Sequence, residues 1–125
     1  MTKPLPGGAN LLYAGAMEPT PQEIDVTTLA QLRRDGTPHA VLDIREPWET
    51  DICGLSDSLR IPLQQIPQSL DDLPQEHPLV VVCHHGVRSA MVTGFLRQNG
   101  FANACNLAGG IDAWARLIEP AMPRY

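Results

Sequence analysis

The run Leu79–Val80–Val81–Val82–Cys83, opened by Pro78, is apolar at every position and stops abruptly at His84–His85–Gly86. A continuous β-branched run suits a strand covered on both faces, because a strand with one wet face would alternate. From Arg88 onward the apolar residues Met91, Val92, Phe95 and Leu96 fall on one helical face, which Asn99–Gly100 brings to an end. A strand buried on both sides and feeding a helix through a short loop requires layers above and below a sheet. No other segment constrains the chain as much.

The same alternation runs through the rest of the sequence. Asp25 can cap a helix carrying Val26, Leu29 and Ala30, with Gly36 as its stop. Ala40–Ile44 reads as a second short buried strand, followed by an acidic turn over Arg45–Asp51. Leu59–Ile61 reads as a brief strand closed by Pro62, and Pro67 suits the first turn of a helix carrying Leu70 and Leu73. Asn106–Leu107 runs into Gly109–Gly110, after which a last helix carries Ile111 and Trp114. The expected class is therefore α/β, with a central, mostly parallel β-sheet flanked by helices. Ligands of such sheets bind beyond the carboxyl ends of the strands, and Cys83 stands at one such end.

Composition excludes several alternatives. Ten glycines and twelve prolines among 125 residues punctuate the elements too often for a long-helix bundle. The run Leu79–Cys83 is the longest unbroken apolar stretch, far short of the ~20 residues that cross a bilayer. Nine Lys and Arg against fourteen Asp and Glu give a net charge of −5, and Lys3 is the sole lysine. With no basic run, neither nucleic acid nor an anionic membrane is expected as the main partner. Three cysteines without a Cys-x-x-Cys spacing make neither a disulfide framework nor a zinc site, and they fit a reducing compartment, the cytoplasm. Residues 1–22 lack periodicity and hold Pro4, Pro6, Pro19 and Pro21. Lys3, Leu11–Leu12–Tyr13 and Ala14–Gly15–Ala16 resemble a secretory leader, but Pro4, Pro6, Gly7, Gly8 and Asn10 interrupt the stretch that should be apolar. The expected partition is a flexible N-terminal extension over 1–22, one domain over 23–118, and a short tail over 119–125 with no further role.

The loop after Cys83 has the makings of a thiolate cradle. Gly86 permits the backbone conformation that a tight loop demands, successive loop amides can converge on an anion, and the helix beginning near Arg88 adds its positive end. The Arg88 guanidinium adds a full charge. A free thiol with a pKa near 8.5 is only about 3% ionised at neutral pH, so such surroundings raise the reactive fraction. Cys83 is the expected nucleophile. A lone cysteine closing a core strand is more often a small packing residue, and it is the glycine and arginine in the loop that reverse this reading.

Here the sequence resembles the rhodanese family. Cys83–His84–His85–Gly86–Val87–Arg88–Ser89 is similar to that family's active-site loop, and Leu42–Glu49 (LDIREPWE) to its first-strand motif. Ile52–Pro62 loosely follows a third motif, and Asn106–Trp114 (NLAGGIDAW) resembles the motif after the last strand. The resemblance implies a rhodanese-like fold and a sulfurtransferase that carries sulfur as a Cys83 persulfide. The donor would be thiosulfate or another persulfide, and the acceptor cyanide or a thiol. It also implies that His84, His85, Gly86, Val87, Arg88 and Ser89 form the substrate-binding loop, whose amides hold the persulfide anion. Phosphatases and arsenate reductases use a loop one residue longer, and the narrower ring suits a single sulfur atom.

Departures from the family pattern concern the surroundings of the loop. Asp51 or Ile52 stands where the family has histidine, and Leu55 where it has alanine. The loop carries no lysine or second arginine to grip thiosulfate, which points to thiosulfate as a surrogate for a persulfide on a protein or small thiol. Asp43 and Arg45 are expected to support the site, as an ion pair or by orienting the loop, and Arg88 either to contact substrate or to brace the loop. Glu46, Glu49 and Asp51 read as a solvated acidic face. Cys53, Cys105, Phe95 and Trp114 read as packing residues. His84 and His85 are expected to rim the pocket; neither a metal nor a cofactor is expected. A sulfur-carrier protein is a further expected partner. The alternative reading is a docking, regulatory or redox-sensing module, against which the retained Cys83, Gly86 and Arg88 argue.

Overall fold

The structure, a computed structural model, describes residues 20–125. The extension expected over 1–22, and the interrupted leader pattern in it, therefore lie outside the described residues as far as residue 19. Five strands form one parallel sheet: β1 (Glu23–Ile24), β2 (Ala40–Asp43), β3 (Leu59–Arg60), β4 (Leu79–Val82) and β5 (Ala104–Leu107). Their order is β1-β5-β4-β2-β3. Leu79 of β4 lies opposite Ala40 of β2 on one side and Ala104 of β5 on the other. The strand that is apolar at every position thus sits in the middle of the sheet.

Alternation along β4 supplies two cores. Val80 and Val82 join Val41, Cys105 and Leu107 on one face, covered by α1 (Val26–Asp35) and α4 (Gly110–Leu117) through Val26, Leu29, Ile111 and Trp114. Leu79, Val81 and Cys83 join Leu42, Ile44 and Ala104 on the other, covered by α3 (Val87–Gln98) through Val92 and Leu96. Helix α1 starts where Asp25 accepts a hydrogen bond from the Thr28 amide, and it ends at Gly36 in the left-handed conformation. Among the described residues, no helix is long and apolar enough to cross a membrane.

Three expectations need correction. Arg45–Asp51 is no turn: Pro47–Ile52 forms helix α2, with Pro47 at its first position and the Glu49 side chain accepting from the Glu46 amide. The segment around Pro67 is not an α-helix; it is a pair of 3-10 turns over Leu63–Gln68 and Leu70–Asp72. Pro67 lies inside the first of these, where its missing N–H and its restriction of the preceding residue oppose regular helix. On α3 the buried stripe runs through Ser89, Val92, Thr93 and Leu96, while Met91 is 65% exposed.

Candidate active site

Cys83 follows the last residue of β4 and is 1% exposed. Its Sγ accepts from the backbone amides of Gly86 at 3.1 Å and Ser89 at 3.3 Å, with the Ser89 hydroxyl also at 3.3 Å. Burial opposes the thiolate, yet the Ser89 hydroxyl and the amides of Ser89, Gly86 and His85 outweigh it and hold the thiol pKa below its ordinary value. Ser89 lies in the first turn of α3, so the positive end of that helix points at the sulfur.

A second set of hydrogen bonds turns the loop the right way round. The first amides of α4, those of Ile111 and Asp112, donate to the carbonyls of Cys83 and His84 at 2.9 and 3.0 Å. With its carbonyls fastened outward, the loop has its amides free to face the sulfur. That close approach needs Gly110, where an added Cβ would stand 2.5 Å from both carbonyl oxygens. Gly86 has φ +97°, and a Cβ there would meet the Gly109 amide nitrogen at 3.1 Å.

Asn106, in β5, is a site residue that the sequence reading passed over. Its Oδ1 accepts from the Ser89 hydroxyl, and its Nδ2 donates to Gly86 O at 3.2 Å and to Glu23 Oε2 at 2.9 Å. The available signal was an amide in an otherwise apolar strand, Ala104–Leu107.

Arg88 does not reach for the sulfur. Its two Nη atoms each lie 2.9 Å from the carboxylate of Glu49, which is 3% exposed and far from the solvated face expected of it. The Arg88 hydrogen bonds hold the Glu49 carboxyl down to about 2, against burial and with help from the Glu46 amide and Tyr125. Asp43 and Arg45, both buried, form an ion pair at 2.7 Å. Arg45 also donates to Cys53 O at 2.7 Å and to the Tyr125 hydroxyl at 2.9 Å. That hydroxyl donates in turn to Glu49 Oε2 at 2.8 Å. The Asp43–Arg45 pair is thereby linked to the loop through Tyr125, Glu49 and Arg88. The tail, read as idle, supplies the middle of this chain.

His84 lies between two rings, His85 and Tyr125, each with its centroid 3.9 Å away. Val87 starts α3 with its side chain in solvent. His84, His85 and Asp112 bring ligand-type atoms within 4.8 Å of one another, but both Asp112 oxygens are occupied by Arg116 and Arg124. Cys105 is buried in the α1–α4 core, and burial pushes its thiol up to about 12. Cys53 packs against the same core, on the side of the sheet away from Cys83. Trp114 is buried as expected, and Phe95 is packed at the edge of the α3 core.

Comparison with known proteins agrees with this geometry. The family described as "Rhodanese-like domain" matches residues 25–117. A sulfurtransferase of Allochromatium vinosum is 36% identical over 94 residues, covering 75% of this chain and 88% of that protein. The adenylyltransferase and sulfurtransferase MOCS3-2 of Zea mays is 35% identical over 102 residues, covering 76% of this chain but only 21% of that much longer protein. The crystal structure of a rhodanese-related protein from Thermoplasma volcanium superposes with a TM-score of 0.68 at 32% identity, covering 82% of this chain and 95% of that one.

Proposed function

This chain belongs to the rhodanese-like domain family, and from that premise we propose that it is a sulfurtransferase that moves a sulfane sulfur through a persulfide on Cys83. One observation carries the reading: a buried thiol whose sulfur accepts from the amides of Gly86 and Ser89 and whose pKa is lowered. The sulfurtransferase relatives support the reaction class.

In the first half-reaction the Cys83 thiolate attacks the outer sulfur of the donor. The Cys83 S–S bond forms, the donor's S–S bond breaks, and its electron pair leaves with sulfite from thiosulfate or with a thiolate from an organic persulfide. The terminal sulfur of the new persulfide anion then sits where loop amides converge, as an oxyanion sits in its hole. In the second half-reaction cyanide or a thiolate takes the terminal sulfur and returns the Cys83 thiolate. His84, His85, Gly86, Val87, Arg88 and Ser89 form the loop around this exchange, with Asp43 and Arg45 behind it. We take residues 23–118 as the working domain and a reducing compartment, the cytoplasm, as its setting. A sulfur-carrier protein is a fitting acceptor.

The test is the intact mass of the protein after incubation with thiosulfate and, separately, with cysteine persulfide. The expected result is a gain of one sulfur atom, reversed by cyanide and absent in Cys83→Ala. No adduct from either donor on folded protein would overturn the reading, and an adduct surviving in Cys83→Ala would place the chemistry on another residue.

A further inference from the structure

Asn106 stands in β5 and is 4% exposed, opposite Val81 of β4 on one side and Glu23 of β1 on the other. Its amide can face only one way. Nδ2 has two protons and gives them to two acceptors, Gly86 O at 3.2 Å and Glu23 Oε2 at 2.9 Å. Oδ1 is thereby aimed at the Ser89 hydroxyl, its one donor among the described residues, and that hydroxyl also lies 3.3 Å from Cys83 Sγ. A single buried hydroxyl proton stands between two acceptors. One of them is fixed and neutral, and the other changes its charge as sulfur is transferred.

Three states of Sγ divide that proton differently. In the thiol, Sγ carries a proton of its own, and the Ser89 proton goes to Asn106. In the thiolate the charge lies on Sγ and the hydroxyl turns to it. Oδ1 then loses its donor, and a buried carbonyl left without one is costly. In the persulfide Sγ is bonded to carbon and to sulfur, the charge sits on the terminal sulfur, and Sγ is again a weak acceptor. The hydroxyl is then free to return to Asn106.

We propose that Asn106 is a positioning residue for sulfur transfer: it takes the Ser89 hydroxyl back as negative charge leaves Cys83 Sγ, and so favours the persulfide-loaded site over the empty thiolate. The inference rests on the Cys83 relay and adds a residue to it. In the loading step the electron pair of the thiolate forms the new S–S bond. The donor's S–S bond breaks, and its pair departs on the leaving group. The Ser89 proton stays on its oxygen throughout; only its hydrogen bond swings, from Sγ to Oδ1. Unloading reverses the swing. The charged groups nearby, Arg88 of α3 paired with Glu49 of α2 and Glu23 of β1 bound to Nδ2, take no part in it.

The experiment removes the amide by Asn106→Ala and by Asn106→Val, each with and without Ser89→Ala. The β-branched valine suits the strand and answers the question if the alanine variant fails to fold. Two quantities are read on folded protein. One is the midpoint of the pH dependence of Cys83 alkylation by iodoacetamide. The other is the ratio of loaded to empty protein at a fixed ratio of cysteine persulfide to cysteine, read by intact mass above the wild-type midpoint. Loss of Asn106 leaves the hydroxyl to the thiolate alone, so the midpoint should fall. The loaded-to-empty ratio should drop by about fivefold, the scale of one hydrogen bond. Both effects should vanish in the Ser89→Ala background, where no hydroxyl is left to swing. A midpoint that rises or stays put, or shifts of equal size with and without Ser89, would mark Asn106 as a brace of the strand and of the Gly86 turn and overturn the proposal. Wild type that takes no sulfur from cysteine persulfide is a different failure: it removes the Cys83 relay itself, and the proposal with it.

Discussion

Ser89 carries one hydroxyl proton and faces two acceptors, Asn106 Oδ1 and Cys83 Sγ. While Cys83 is a thiol, its own proton can serve Ser89, and the serine proton goes to Asn106. Once the thiol ionises, the sulfur becomes the stronger acceptor and the hydroxyl turns to it. Asn106 keeps its place through its bonds to Glu23 and Gly86, so the serine can change partner without disturbing the strand. This hydroxyl favours the charged form of Cys83, so its removal must raise the thiol pKa. Ser89→Ala should shift the midpoint of the pH dependence of Cys83 alkylation by iodoacetamide upward, because one hydrogen bond to the charged form is lost. At pH 7 the alkylation rate should fall accordingly; an unmoved midpoint would assign the activation to the amides alone.

At the scale of elements, the loop after Cys83 is one partner in a clasp whose other half is the start of α4. Gly36 and Gly110 both have positive φ, +66° and +60°, but only the second is pressed against its surroundings. Gly36→Ala should therefore cost about 1 kcal/mol, the ordinary penalty for a side chain in the left-handed region. Gly110→Ala should cost about 3 kcal/mol by denaturant unfolding, because its Cβ would overlap the carbonyls of Cys83 and His84, and it should also slow Cys83 alkylation. Helix α1, the buried strand β4 and the turn into α3 were legible in the sequence because each is specified locally, by a cap, a β-branched run and a glycine. Helix α2 was not, since its acidic residues look like a solvated surface until a cation from α3 arrives to pair with Glu49. The role of Tyr125 was equally hidden. Its partners Arg45 and Glu49 lie 80 and 76 positions away, and no local pattern encodes that meeting.

Taken whole, the molecule is a sheet with two cores, fastened along one edge of the site by the hydrogen-bonded chain Asp43, Arg45, Tyr125, Glu49 and Arg88. This fastening ties β2, α2, α3 and the segment after α4 together, and it depends on an ionised Glu49. Because the Glu49 carboxyl is held down at about 2 from an ordinary 4.5, its contribution is complete above the ordinary value and is lost as pH falls from there toward 2. Glu49→Gln should lower stability at pH 7 by about 2 kcal/mol, and the difference from wild type in urea unfolding should shrink as the pH approaches 2. A constant difference across that range would mean the loss is one of packing. The sheet has one more consequence, set by the side on which each cysteine lies. Cys83 faces the α3 core, whereas Cys105 lies in the other core and Cys53 packs against that one, so no second thiol shares the core of Cys83. Should peroxide turn Cys83 into a sulfenic acid, its core offers no second thiol to condense with, and the expected route to recovery is a thiol from solution. The protein keeps its working sulfur in solitary confinement: protected from its own kind, and dependent on visitors for release.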